Sequence, residues 1–120
     1  MIPKNLILAS RSPRRVELLQ LITPNFQTIP SQFDEHSVAI SDPEELVKAL
    51  AYHKAMTVFE QYPNATVIGC DTVVSLNGEI FGIPQNKAHA MTMMQKLSGK
   101  THLVSTGVCI VSKKQQRQFV

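Results

Sequence analysis

An aspartate in the middle of a run that reads as a buried strand is costly. Asp71 lies inside Val67-Ile68-Gly69-Cys70-Asp71-Thr72-Val73-Val74. Taking its carboxylate out of water costs on the order of several kcal/mol unless a cation, a metal or hydrogen-bond donors answer the charge. Such a residue marks a chemical site or a structural hydrogen-bonding role. Asp34 and Glu35, adjacent on a polar stretch, supply a second carboxylate or a solvated acidic loop. A pair of carboxylates of this kind suits Mg²⁺ or Mn²⁺, which take oxygen ligands.

The stretch Leu6-Ile7-Leu8-Ala9-Ser10-Arg11-Ser12-Pro13-Arg14-Arg15 carries opposite charge. A helix starting at Pro13 has positive partial charge at its N-terminus, so Arg14 and Arg15 in its first turn cost roughly 0.3–1 kcal/mol each when exposed. An anion there would gain from unpaired N–H groups, from the Ser10 and Ser12 hydroxyls and from two guanidinium forks. The stretch therefore reads as a phosphate site or as a solvated basic loop. It is not a Walker A loop, since it lacks the glycines and the Gly-Lys-Ser/Thr ending. Lys54 follows Leu50 by four residues and Ala51 by three, which puts it on or beside an apolar helix face. It must snorkel outward or meet an anion.

The elements that would position these residues are legible in outline. Leu6–Ala9 reads as a short buried strand. Ser12 caps a helix with Pro13 at its first position and Val16, Leu18, Leu19 and Leu21 on its apolar side. Phe26–Ile29 reads as a strand and Gln32–Ser37 as a loop. Asp42, Pro43 and Glu45 start a second helix with a capping-box spacing, and the helix runs to about Tyr62. Ala65–Leu76 is a long β-rich run, Asn77-Gly78 a two-residue hairpin turn, and Glu79–Phe81 its return arm. Asn86–Leu97 is helical, with Met91, Met94 and Leu97 as core-fillers and Gly99 as its C-cap. Thr101–Val111 is a strand, 112–118 resembles a hairpin tip, and Phe119-Val120 begins the return strand, which leaves an open sheet edge. The expected fold is α/β, with a mixed central sheet flanked by helices.

Composition excludes several classes. The 120 residues suit a single domain, 1–120; 43% are hydrophobic and 18% charged, which fits a globular protein and not a disordered one. The net charge of +3 tolerates an anionic ligand without demanding nucleic acid. Only 6% of residues are aromatic, so no stacking platform for bases stands out. Cys70 and Cys109 show no CxxC spacing and read as reduced core thiols. His36, His53, His89 and His102 show no metal-ligand spacing and read as surface residues, and no GxSxG motif occurs. Pro3 and Lys4 interrupt any signal-peptide pattern, and no run approaches the ~20 apolar residues of a membrane span. The expectation is a cytoplasmic protein with no membrane or nucleic-acid partner.

Taken together, LASRSPRRVELL, the Asp34-Glu35 loop, AYHKA, GCDTVVSLNGEIFG and KLSGKTHLVSTGVCI resemble the Maf family of nucleoside triphosphate pyrophosphatases, in order and over nearly the whole chain. The resemblance implies an α/β fold like that of inosine triphosphate pyrophosphatases, with a cleft between two lobes. It implies hydrolysis of a nucleoside triphosphate substrate to the monophosphate and pyrophosphate, assisted by a divalent metal. Asp71 matches the family's proton acceptor. Ser10, Arg15, Glu35 and Lys54 match its triphosphate and metal-site positions, with Glu35 and Asp71 as metal ligands. Arg14 and Thr72 look like the branch acting on dTTP and UTP; the branch acting on methylated GTP usually carries Trp and Gln there. The family also carries a link to septum formation, and it admits a homodimer. Two departures stand out. Gly82-Ile83-Pro84 replaces the family's usual Gly-Lys-Pro, and family members continue well past Val120, so the chain reads as C-terminally truncated. A catalytically weakened nucleotide-binding or cell-division regulatory protein is the alternative that these departures imply.

Overall fold

The computed structural model describes residues 5–77, 79–81, 86–99 and 102–120. Its elements in chain order are β1 (Leu6–Leu8), α1 (Pro13–Gln20), β2 (Gln27–Thr28), a 3₁₀ turn (Glu35–Ser37), α2 (Pro43–Gln61), β3 (Thr66–Leu76), β4 (Glu79–Phe81), α3 (Lys87–Leu97), β5 (Leu103–Val111) and β6 (Gln116–Phe119). The sheet runs β2-β1-β3-β5-β6, and β4 adds to β3. β1 is parallel to β2 and β3, whereas β3–β4, β3–β5 and β5–β6 are antiparallel. This is the mixed α/β sheet that the sequence predicts.

Local chemistry sets the helix starts. Ser12 Oγ accepts from the Arg15 N–H at 3.4 Å, and Asp42 Oδ2 accepts from the Glu45 N–H at 2.9 Å, with Pro13 and Pro43 just inside. Asn86 Oδ1 caps α3 by accepting from the His89 N–H at 2.8 Å, and Gly99 follows the helix at φ 70°. Asn77 takes φ 50° at the β3–β4 turn. Its partner Gly78 and the Gly82-Ile83-Pro84 departure lie outside the described residues.

The central helix α2 buries Val47, Leu50, Ala51, Ala55 and Val58 against one face of the sheet. The core there joins Ile7, Ala9, Val67, Cys109 and Val111 to Ala51, Ala55 and Val58. Two glycines let helix and sheet approach. A Cβ on Gly69 would meet the Ala55 nitrogen at 2.8 Å and its Cβ at 2.9 Å, besides the Ala51 carbonyl; one on Gly107 would meet the Val47 carbonyl group. β3 alternates, and Val67, Gly69, Asp71, Val73 and Ser75 are its buried positions. Asp71 therefore shares its face with the two glycines on which α2 packs closely.

Three expectations are corrected. First, α1 and α3 bury none of their residues: Leu18 and Leu21 of the expected apolar side of α1 are 53% and 84% exposed, and Met91 and Met94 are 58% and 70% exposed. Helical spacing lines up an apolar stripe, but what covers it is decided by the neighbours, and α2 alone occupies the core face. Second, the return strand begins at Gln116, not Phe119. The Ser112 N–H donates to the Gln115 carbonyl at 2.8 Å, closing the turn around Lys113-Lys114, and Val111 pairs with Gln116. A strand wet on both faces carries no hydrophobic alternation to announce it. Third, His53 is half-buried, stacked on Phe33 at 4.7 Å and edge-on to Tyr52 at 5.3 Å. His89 and His102 are exposed as expected, and the His36 side chain lies outside the described residues. Cys109 is buried and Cys70 half-buried, both free, and burial pushes both thiols up.

Gly69→Ala is expected to lower stability by about 1–3 kcal/mol through overpacking against the backbone of α2. Urea unfolding checks it, and an unchanged midpoint would show that helix and sheet can part without cost.

Candidate active site

β1 and β2 run parallel, and the chain leaves their carboxyl ends through Ser10–Ser12 and Ser31–Phe33. Ligands of open α/β sheets lie outside such ends. A cleft of about 400 Å³ opens there, lined by Ala9–Ser12, Arg15, Ser31–Phe33, Glu35 and Lys54. Three cations, Arg11, Arg15 and Lys54, face one carboxylate, Glu35, so the lining favours an anion. A larger cavity of about 600 Å³ opens at the opposite end of β1, between Asn5, Phe26, Tyr62 and Asn64. None of its lining residues is charged, so it has nothing to offer a triphosphate.

Lys54 does not snorkel. Its Nζ donates to Asp71 Oδ1 at 2.7 Å and pairs with a Glu35 carboxylate oxygen. The side chains of Lys54 and Asp71 are 14% and 11% exposed. Helix α2 projects the lysine from the turn between Ala51 and Ala55, directly over the buried face of β3. The 3₁₀ turn carries Glu35 in from the other side; Phe33, just ahead of it, stacks on His53 one position before Lys54. Asp71 is held above the ordinary carboxylate range, chiefly because burial disfavours its charge, with Lys54 pulling the other way and Glu35 adding to the rise. No buried side-chain nitrogen or oxygen among the described residues lacks a partner or access to solvent. Asp71 Oδ2, which no described residue holds, is therefore open to solvent; Asp71 is not among the residues that line the cleft and adjoins it through Lys54.

The basic end of the cleft is arranged differently from the simplest expectation. Ser10 Oγ accepts from the Ser12 N–H at 3.1 Å, and Ser12 Oγ is spent as the helix cap. Each hydroxyl uses a lone pair and keeps its own O–H for an anion. Of the first-turn amides, Pro13 has no N–H and those of Arg15 and Val16 go to Ser12. Helix α1 thus offers an anion the Arg14 N–H rather than a set of free amides. Arg15 lines the cleft, and its Nη1 donates to the Cys70 carbonyl at 3.3 Å and its Nη2 to Thr72 Oγ1 at 3.0 Å. Arg14 is exposed and outside the lining, and Thr72, also exposed, reaches the cleft through Arg15. Sequence reasoning brought Ser10, Ser12, Arg15, Glu35, Lys54 and Asp71 forward, and the fold gathers all six. It passed over Arg11 and Ser31–Phe33. The signal for the latter was available: a polar stretch directly after the strand that lies beside β1.

Among the described residues no group of three or more His, Cys, Asp or Glu forms a ready metal cage. Glu35 and Asp71 are two oxygen donors gathered on one ammonium. Mg²⁺ characteristically takes one or two carboxylates and completes its shell with substrate phosphates and water, so this donor set fits such an ion.

The fold is shared with solved structures at low sequence identity. The Staphylococcus aureus Ham1 protein superposes with a TM-score of 0.58 at 18% identity, covering 97% of this chain and 68% of that one. A nucleoside-triphosphatase, described as a dITP/XTP pyrophosphatase, from Mycobacterium abscessus gives 0.56 at 11% identity, covering 96% and 70%. Residues 5–120 match the family model for Maf-like proteins, and the chain belongs to that family. Curated relatives named dTTP/UTP pyrophosphatase are 45% identical over 116 residues in Bacillus mycoides and 44% over 118 in Syntrophus aciditrophicus. These alignments cover 97% and 98% of this chain but 61% and 58% of those proteins, so the chain spans about three fifths of their length. No helix among the described residues is long and apolar enough to cross a membrane.

The raised folded pKa of Asp71 fixes the sign of one measurement. Its stabilising contribution is full below the ordinary carboxylate value, about 3.9, and is lost as pH rises through the higher folded value. In metal-free buffer, wild type is therefore expected to lose stability relative to Asp71→Asn as pH rises from about 4. Urea midpoints across that range check it. A difference moving the other way would mean that Lys54 outweighs burial.

Proposed function

We propose that the chain acts as a nucleoside triphosphate pyrophosphatase of the dTTP/UTP type, clearing nucleotides from the cytoplasmic pool. The observation that carries the reading is the convergence of Lys54, Glu35 and Asp71 beside a cleft that also holds Arg11 and Arg15. The relatives named dTTP/UTP pyrophosphatase support the substrate class. In the reaction, a water oxygen bonds to the α-phosphorus while the bond to the bridging oxygen breaks. The monophosphate and pyrophosphate result. Asp71 Oδ2 accepts the water's proton, and burial makes that carboxylate a better base than an exposed one. Lys54 holds Oδ1 and so orients the carboxylate. Arg11, Arg15 and the Ser10 and Ser12 hydroxyls bind phosphate oxygens and offset the charge that gathers on the leaving pyrophosphate. Glu35 and Asp71 would hold a Mg²⁺ or Mn²⁺ ion, which supplies Lewis-acid polarisation of the phosphate oxygens. Arg14 and Thr72 stand at the positions that favour pyrimidine nucleotides.

Ile83 favours a second reading. An apolar residue stands where the family usually places a lysine, and one such electrostatic stabiliser is worth about 3–4 kcal/mol. A chain weakened in this way would bind nucleotide, or act in cell-division control, with little turnover.

Pyrophosphate release from dTTP, UTP, CTP and GTP with Mg²⁺ or Mn²⁺ separates the two. Turnover of dTTP and UTP is expected, falling by about 10²–10⁴ in Asp71→Asn. Nucleotide-dependent thermal stabilisation without pyrophosphate would instead establish the binding reading, and Ile83→Lys would then be expected to restore turnover. Lys54→Met is expected to abolish activity and to cost about 3–5 kcal/mol, because it leaves two carboxylates together without their cation.

A further inference from the structure

One edge of β3 is only partly paired. β1 pairs with it over Thr66–Ile68 and β4 over Val74–Leu76, and between them no described strand lies alongside. The last rung is the Ala9 N–H donating to the Ile68 carbonyl at 2.8 Å. Two residues on, the Cys70 carbonyl points to the same edge, because carbonyl direction alternates along a strand. There β1 has ended, and Arg15 Nη1 supplies the missing donor at 3.3 Å. Backbone accounting thus explains why Arg15 sits where it does.

The second arm of the fork has a direction that can be worked out. A guanidinium donates and cannot accept. At 3.0 Å from Arg15 Nη2, Thr72 Oγ1 must therefore be the acceptor. The Thr72 proton remains for the 3.0 Å contact with Thr106 Oγ1. Thr72 and Thr106 stand directly opposite in the β3–β5 register. Accepting from a cation polarises the Thr72 hydroxyl and makes it the stronger donor of the two.

We propose that Thr106 is a positioning residue for the cleft. Its hydroxyl accepts the Thr72 proton, turns a Thr72 lone pair toward Arg15, and so holds the guanidinium at the cleft with its other N–H groups free for an anion. Thr106 is exposed and outside the cleft lining, so it acts through Thr72 and Arg15 and does not touch the ligand. An arginine already held loses less freedom on meeting phosphate. The consequence for nucleotide binding rests on reading the cleft as a triphosphate site; the latch itself does not.

The test separates the two. In ¹⁵N-labelled protein without nucleotide, the exchange of Arg15 guanidinium protons with water is measured, with the signal assigned through Arg15→Lys. Thr106→Val keeps the β-branched shape and removes the acceptor. It is expected to speed exchange roughly three- to tenfold, whereas Thr106→Ser stays near wild type. Adding Thr106→Val to Thr72→Val is expected to change nothing further. Unchanged exchange in Thr106→Val, or equal loss in Thr106→Ser, overturns the latch. With dTTP, Thr106→Val is expected to lower kcat/KM by a similar factor, since Arg15 meets the phosphate oxygens on binding and the charge that gathers on them in the reaction. Faster exchange with an unchanged kcat/KM overturns the functional half. A wild-type chain that neither binds nor cleaves nucleotide sinks the reading of the cleft, while the exchange rates still decide the latch.

Discussion

An aspartate facing the packed side of a sheet needs a cation within reach, and Asp71 has Lys54 at 2.7 Å. The pair couples the two elements that make the core. Lys54 comes from α2, Asp71 from β3, and the glycines at 69 and 107 bring helix and sheet close enough for the contact. Glu35 adds a second carboxylate to the same ammonium and ties in the segment that leaves β2. Neither carboxylate would be tolerable beside the other without the lysine, since like charges at short range disfavour joint ionisation. The arrangement stores little net stability, because desolvation offsets most of the Coulomb gain. What it secures is placement: a carboxylate with one oxygen fixed and the other open, next to a cationic cleft.

The cleft itself follows from where strands end. Parallel β1 and β2 deliver their loops to the same side, and the gap along β3 between β1 and β4 leaves room for Arg15. The two faces of β3 then divide the work. Asp71 faces α2 and the carboxylate–lysine cluster; Thr72, one residue on, faces the other way and meets Arg15 and Thr106. One strand thus anchors the carboxylate–lysine cluster on one face and Arg15 on the other. The architecture around this strand is shared with solved structures at low sequence identity, and the chain belongs to the Maf-like family.

Much of this was legible before any coordinates. Ser12-Pro13, Asp42-Pro43 and Asn77-Gly78 act through their nearest neighbours, so the helix starts and the β3–β4 hairpin followed from residue type alone. The misplaced alternation at Asp71 was legible for the same reason, because a charge inside a β-branched run conflicts with its own surroundings. The apolar sides of α1 and α3 misled, since periodicity identifies a stripe without saying what covers it. β6 was nearly missed because Gln116–Phe119 has no dry face to impose a pattern.

By itself the sequence determined most of the elements, the helix starts, the resemblance to the family and a short list of charged residues out of place. Those follow from forces acting over a few positions along the chain. Only the tertiary structure decided whether Lys54 reaches solvent or carboxylate, whether Arg14 or Arg15 enters the cleft, and which oxygen of Asp71 stays open. Each of these turns on residues tens of positions apart meeting within hydrogen-bonding distance. Strand register and helix-to-sheet approach set such meetings, and neither is written in local spacing.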